Sequence, residues 1–161
     1  MLFGLFAGAF YACTAVPWFR SDFFPWYLGA NAHLANAILR MMGEDTVMSG
    51  SSITSPRFGL TIQRGCDAIE PIALLVAAVL AFPAPRRSKF AAVLAGTALL
   101  LGLNLVRIVS LYFTGVWFPR FFETMHVDVW QALFIVIAMI LWLAWAWRVV
   151  HAQRAGSHAR A

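Results

Sequence analysis

Charge is what this sequence has least of. Only 12% of its 161 residues are Asp, Glu, Lys or Arg, against about a quarter in a soluble globular domain. With 61% hydrophobic residues and a mean hydropathy of +0.75, so short a chain cannot turn all its Phe, Trp, Leu and Ala inward. A bilayer has to serve as solvent. Cysteine is scarce as well. Cys13 and Cys66 form no CxxC and no metal-ligand spacing, which excludes a secreted disulfide scaffold. No cluster supplies the three or four ligands a metal needs, so neither metal nor cofactor is expected. Repeats and low-complexity runs are absent, and the composition excludes disorder. Acids number 7 against 12 Lys and Arg, a net charge of +5. In a soluble protein that balance would suggest nucleic acid. Here the cations flank apolar runs, so orientation in a membrane accounts for them and no nucleic-acid partner is expected.

Four stretches are apolar enough to span, a span needing about 20 residues within a range of about 17–25. They lie at about 1–19, 66–82, 90–113 and 127–147, with an outer loop at 20–65. The expected fold is thus an all-α integral membrane protein in a single membrane domain, 1–161. The first stretch lacks the basic flank of a signal peptide and is long for an apolar signal core, which favours a retained span over a cleaved one. The second is short unless its helix begins near Gly65, and Pro71 suits a first helical turn. Asn104 and Arg107 interrupt the third, and Trp142, Trp145 and Trp147 form an aromatic belt at the end of the fourth.

Loop cations orient the spans. Arg86, Arg87 and Lys89 crowd the link between the second and third, and the tail carries Arg148, Arg154 and Arg160. Both segments are expected in the cytoplasm, which puts the 20–65 loop and the Arg120/Glu123 link outside. Within the outer loop, Leu28, Ala35, Ile38, Leu39 and Met42 recur at helical period, opposite His33, Asn36 and Arg40. That spacing predicts a short amphipathic helix on the membrane surface. Gly43 to Ser55 reads as a polar, turn-rich loop. Phe58, Leu60 and Ile62 then alternate with Gly59, Thr61 and Gln63, a period of two that predicts a short strand or hairpin leading into Gly65-Cys66.

Depth decides which chemical groups can meet. Cys66 falls at the outer end of the second span, His126 at the outer start of the fourth, and Arg107 six residues before Phe113, roughly 9 Å below the outer end of the third. An intramembrane arginine costs about 2.5–3.5 kcal/mol at a helix centre. Asn104 and Ser110, three residues before and after it, continue a polar stripe. Two readings stand for Arg107: a functional charge, or an anchor that snorkels to headgroups or pairs with an acid such as Glu70. Cys66 stands at a helix N-terminus near Arg64, a setting that lowers a thiol pKa, although Asp67 adds an opposing charge. Cys13, mid-span, reads as an inert thiol. His126 can exchange a proton near neutral pH. Asp128 is a supporting candidate, although i and i+2 positions do not face each other on a helix.

Arg64-Gly65-Cys66-Asp67-Ala68-Ile69 opening one span, Asn104-Leu105-Val106-Arg107-Ile108 late in the next and His126 opening the last resemble the exosortase/archaeosortase family. The Cys-Asp-Ala-Ile-Glu-Pro string is most similar to the exosortase H type. The resemblance covers roughly Ile53 to Ile140. The family often has a small or hydroxyl residue after the cysteine, where this chain has Asp67. What the resemblance implies is a cysteine protease or transpeptidase of the bacterial inner membrane with its active site facing the periplasm. Its catalytic residues would be Cys66, Arg107 and His126, with Asn104, Arg64 and Asp128 in support. Its partners would be exported proteins whose C-terminal signal is a short motif, a membrane span and a basic tail. The acceptor would be water or an amine of a surface lipid or polysaccharide.

Two rivals remain at the level of sequence. A non-enzymatic membrane subunit would use Arg107 and Asn104 to hold helices together. A thiol redox protein would need two cysteines at one depth, and Cys13 and Cys66 are at different depths.

Overall fold

The computed structural model describes residues 2–63, 65 and 67–158, apart from the side chains at 2, 3, 7, 11, 13, 15 and 155–158. Helix α1 spans Leu2–Ala15 and is interrupted just before Pro17, whose ring cannot continue the ladder. A π-helical turn at Phe19–Phe23 leads into α2, Phe24–Met41. Gly43, at φ +91°, ends α2. Its N–H donates to the Arg40 carbonyl and that of Glu44 to the Leu39 carbonyl, the two bonds of a Schellman closure. Three short strands follow: β1 (Val47–Ser49), β2 (Ser52–Thr54) and β3 (Gly59–Thr61). Helices α3 (Ile69–Ala81), α4 (Arg86–Trp117) and α5 (Trp130–His158) complete the described chain. A 3₁₀ turn at Pro119–Phe121 and a π-helical turn at Thr124–Val129 join the last two.

The chain is predominantly helical, and α4 and the Thr124–Arg154 helical run are the two described helices long and apolar enough to cross a membrane. Both leave large apolar side chains outside, among them Phe90, Leu94 and Val106 on α4 and Val136, Met139 and Ile140 on α5. Helix α3, 13 residues long, covers about 20 Å and is packed between α1, α4 and α5. The basic link beneath it is tied down: Lys89 Nζ donates to the Leu80 carbonyl at 2.7 Å, and Trp145 Nε1 donates to Ser88 Oγ at 3.0 Å. A cation on the last carbonyls of a helix also complements its dipole.

Three expectations change. The amphipathic helix exists as α2, but its apolar face does not lie on the bilayer. Leu28, Ala32, Ala35 and Leu39 are buried against Ile53, Ile62, Ile108 and Tyr112, from the strand region and α4. Met42, expected on that face, is exposed. The stretch from Gly43 to Ser55 holds two of the three strands. β1 and β2 form a hairpin across Gly50-Ser51, where Gly50 takes φ +61°, and β3 pairs antiparallel with β2 through Ile53 and Leu60. Finally, α4 continues beyond Phe113 to Trp117, so Arg107 sits about 15 Å from the helix end rather than 9 Å.

The stripe that α4 turns inward explains how it holds its neighbours. Gly96, Leu100, Asn104, Arg107, Ile108, Leu111, Tyr112 and Gly115 are buried, steps of three and four that keep one face of a helix. Its lower part meets α3 and α5 through Leu75, Val79, Phe134 and Ala138. Its upper part meets α2 and the sheet. There Tyr112 donates to Glu44 Oε2 at 2.8 Å, Ser55 Oγ lies 2.8 Å from the Tyr112 hydroxyl, and Arg57 Nη1 donates to Glu44 Oε1 at 2.6 Å. Gly115 has no side chain where the Phe58 ring lies against α4.

Candidate active site

Arg107 is 2% exposed, on the inner face of α4. It does not snorkel. One arm of its guanidinium donates from Nη2 to the main-chain carbonyl of His126 at 3.0 Å. Its Cζ lies 5.6 Å from the centre of the Phe134 ring on α5, within reach of a cation–π attraction. Glu70, the acid considered as its partner, is exposed. The arginine therefore holds the π-helical turn that carries His126 by its backbone. Wide turns of this kind recur at functional sites. The His126 ring is half-buried, 5.8 Å from that of Phe122. Asp128, in the same turn, is exposed, and the structure does not bring it to the imidazole.

Beside His126 lies a cavity of about 330 Å³, a size at the lower end of small-molecule clefts. One wall is the run Phe58 to Gln63, which includes β3; the other is Ile108 and Leu111 of α4 with Phe122, Glu123 and His126. A second cavity of about 120 Å³ lies on the α1 side and is lined by Phe10, Thr14, Phe24, Gly65, Asp67 and Glu70.

Cys66 and Arg64 lie outside the described residues, and Gly65, Asp67 and Ala68 lie within them. Gly65 takes φ +88° and Ala68 φ +59°. For alanine the left-handed region costs about 1–2 kcal/mol, and such strain persists where surrounding contacts impose it. The contacts are there. Ala68 is buried in the cluster that contains Leu111, Trp130 and Phe134. The Asp67 carboxylate accepts the N–H of Ile69, the first residue of α3, at 3.0 Å. The Asp67 carbonyl accepts the hydroxyl of Tyr27.

That last contact is one end of a polar chain which sequence reasoning missed in part. Asn104, fully buried, donates from Nδ2 to Asn31 Oδ1 at 3.1 Å, and Asn31 Nδ2 donates to the Tyr27 carbonyl at 2.9 Å. Asn104 thus supports the segment next to Cys66 through α2, not through Arg107. Asn31 had a signal: it is a polar residue on the helical face defined by Leu28, Ala35 and Leu39. Tyr27 had none. Burial pushes its phenol up to about 12, so it remains a hydrogen-bond donor throughout the neutral range.

A membrane helix with an inward Asn-x-x-Arg, its arginine fastened to the turn that bears a histidine, is the geometry on which the comparison with known proteins bears. The family model described as transmembrane exosortase (Exosortase_EpsH) matches residues 1–144. The chain belongs to the transmembrane exosortase family. Comparison with curated proteins and with solved structures found no match. Family membership and the two long apolar helices make this a membrane protein.

Proposed function

We propose that the protein is an exosortase-like cysteine protease or transpeptidase, of the H type, that cleaves a C-terminal sorting signal from exported proteins. The observation that carries this reading is the bond from Arg107 to the His126 main chain. It fastens a buried cation to the turn whose histidine lines the cavity, and the opposite wall, β3, leads to Gly65 and Asp67 on either side of Cys66.

In this mechanism the Cys66 thiolate attacks the scissile carbonyl carbon, forming a C–S bond and a tetrahedral oxyanion. Arg107 stabilises the negative charge as it moves from sulfur to oxygen. Collapse breaks the C–N bond, and protonated His126 gives its proton to the departing amine. The acceptor, water or an amine of a surface lipid or polysaccharide, then loses a proton to His126 and attacks the thioester, which returns Cys66 as thiolate. Atoms and charges balance without an oxidant or a metal. The four-span arrangement, with the basic link and tail in the cytoplasm and Cys66 at the periplasmic face of the inner membrane, puts the scissile bond just outside the bilayer.

The test is Cys66→Ala, assayed on a secreted reporter ending in a short motif, a membrane span and an arginine cluster. We expect processing to vanish while the amount of folded protein in the membrane stays at the wild-type level. Normal processing by that variant removes the nucleophile, and a non-enzymatic membrane subunit becomes the better reading.

A further inference from the structure

We propose that the exported chain is gripped by strand addition: its extended segment pairs, parallel, with the free edge of β3. This rests on the cleavage reading above and says how the same site holds its substrate.

β3 is the outermost strand of the sheet, whose order is β1-β2-β3. The Ile62 N–H donates to the Ser51 carbonyl at 2.9 Å, and the Ser55 N–H donates to the Phe58 carbonyl at 3.0 Å. In an antiparallel ladder the main-chain groups of successive residues point to alternate sides. Residues 58, 60 and 62 therefore turn theirs toward β2, whereas Gly59, Thr61 and Gln63 turn theirs away. Among the described residues, the backbone groups of these three make no hydrogen bond on the outer side. All three residues are exposed.

The 330 Å³ cavity is lined by residues of both parities along this run, 58 through 63, as a space running beside the strand edge has to be. Its far wall carries His126. The edge therefore borders the same cavity as the proton-transfer group. At about 3.3 Å per residue, Gly59 to Gln63 offers room for roughly three to five residues of extended peptide.

The occupant follows from the chemistry of the edge. Alternating N–H and C=O groups at strand spacing are complementary to another main chain, whereas a lipid acyl chain would leave them unsatisfied. Direction follows from topology. β3 precedes α3 in the chain, and in the orientation proposed above it leads from the outer face toward the α3 N-terminus, the way a substrate whose C-terminal helix enters the bilayer also runs. The two strands are therefore parallel. Main-chain bonds supply affinity, and the alternate side chains that meet Ile108, Leu111 and Phe122 supply selectivity.

Thr61→Pro tests the grip. Proline at an outward-facing edge position removes one donor and leaves the β2 ladder intact. Thr61→Val is the control: it keeps the N–H and loses the hydroxyl contact with Ser52. With the reporter described above, we expect Thr61→Pro to slow processing about tenfold or more, the effect of losing one buried main-chain hydrogen bond. Thr61→Val reads the side-chain share alone, and Thr61→Pro is expected to process about tenfold more slowly than Thr61→Val, the difference belonging to the main-chain donor. A second measurement keeps Thr61 and does not need cleavage. In a Cys13→Ser, Cys66→Ala background, Gln63→Cys is oxidised against single cysteines stepped through the reporter motif, and cross-links are expected at every second position. Processing by Thr61→Pro at the wild-type rate, with no alternation in the cross-links, overturns the proposal. Cross-linking of Gln63→Cys between two copies of this chain, without alternation on the reporter, also overturns it and assigns the edge to self-association. A reporter that is never processed yet cross-links with period two sinks the cleavage reading alone and leaves strand addition standing.

Discussion

Helix α4 is held in two different ways along its length. Against α3 and α5 its contacts are apolar, Leu100 and Leu111 meeting Leu75, Val79 and Phe134, with Arg107 as a buried cation between them. Against α2 and the sheet, apolar packing around Ile108 and Tyr112 is joined by a carboxylate that accepts from Tyr112 and Arg57 at once. Water explains the difference. Between lipid-facing helices polar groups are costly unless each is satisfied within the bundle, so few are present. Polar bonds within reach of solvent compete with water, and several together are needed to fix a small sheet whose strands are three residues each. The cavity lies on the seam between the two regions. One wall comes from the sheet and the other from α4 and the His126 turn, so the site depends on both modes of attachment.

The largest effect is expected where the bundle carries its buried cation. Arg107→Lys keeps the charge but loses the planar fork of N–H groups that reaches the His126 carbonyl. We expect the variant to fold and to lose about 100- to 1,000-fold in processing rate, the scale of a missing oxyanion donor. Near-native processing at unchanged thermal stability in detergent would leave Arg107 as a helix-packing residue and the bundle as mere support for the seam. Next comes Gly115→Ala, which attacks the opposite side of the comparison. A methyl group there overlaps the Phe58 ring, which packs 5.4 Å from Phe122 beside the cavity. Overpacking of this kind costs about 1–3 kcal/mol. The expected result is a lower melting temperature together with slower processing. Unchanged processing would mean that the Phe58 wall is not used by substrate.

How far the two regions could be read from sequence also differs. The inner stripe of α4 was legible because Asn104, Arg107 and Ser110 share a helical face, and a polar residue amid a long apolar run has to face protein. The helix α2 was legible as a helix, but not its covering. An apolar period is the same whether lipid or protein meets it, and only the packing on Ile53, Ile62, Ile108 and Tyr112 decides. β3 announced itself by alternation, whereas β1 and β2 did not. Of their six residues Ile53 alone is buried, too little apolar content to signal a strand. At the site, Asn104, Arg107 and His126 were legible as polar groups, the first two on α4 and the third in the turn before α5. The bond that joins two of them was illegible, since it ends on a main-chain carbonyl and no side-chain spacing encodes that. Asp128, two residues from His126, is exposed, in keeping with i and i+2 positions not facing each other on a helix.

A smaller effect is expected from Glu44→Gln, which sharpens the account of how the sheet is held to α4. The amide retains one acceptor oxygen, so either the bond from Arg57 or that from Tyr112 is lost. Arg57 is 49% exposed in its side chain, and solvent screens most of that pair's attraction. The loss should therefore sit mainly on the Tyr112 side, at about 1 kcal/mol for one part-buried hydrogen bond. Thermal melts of Glu44→Gln, Arg57→Gln and the double variant measure it. Arg57→Gln is expected to melt close to wild type. If Arg57→Gln costs as much as Glu44→Gln, the ion pair and not the tyrosine holds the sheet to α4.

The smallest effect, and the most local, is expected from Tyr27→Phe. The ring stays, the hydroxyl goes, and the Asp67 carbonyl loses its donor from α2. One neutral hydrogen bond contributes about 0.5–1.5 kcal/mol, so global stability should fall only slightly. The pH dependence identifies the bond. Folded Tyr27 titrates near 12 instead of the ordinary 10.0 because burial disfavours the phenolate. Between those values the unfolded chain releases a proton that the folded chain keeps, so this group's contribution is complete below about pH 10 and declines as pH rises toward 12. Tyr27→Phe should flatten that part of the stability profile and leave the neutral range untouched. Processing should slow by a few-fold at most, about what a loss near 1 kcal/mol allows, because the carbonyl belongs to the residue next to Cys66 and the strained turn at Ala68 remains held by its packing. A variant with a wild-type alkaline profile and wild-type processing would show that α2 does not position this segment, and that the link between the outer region and the site runs through β3 alone.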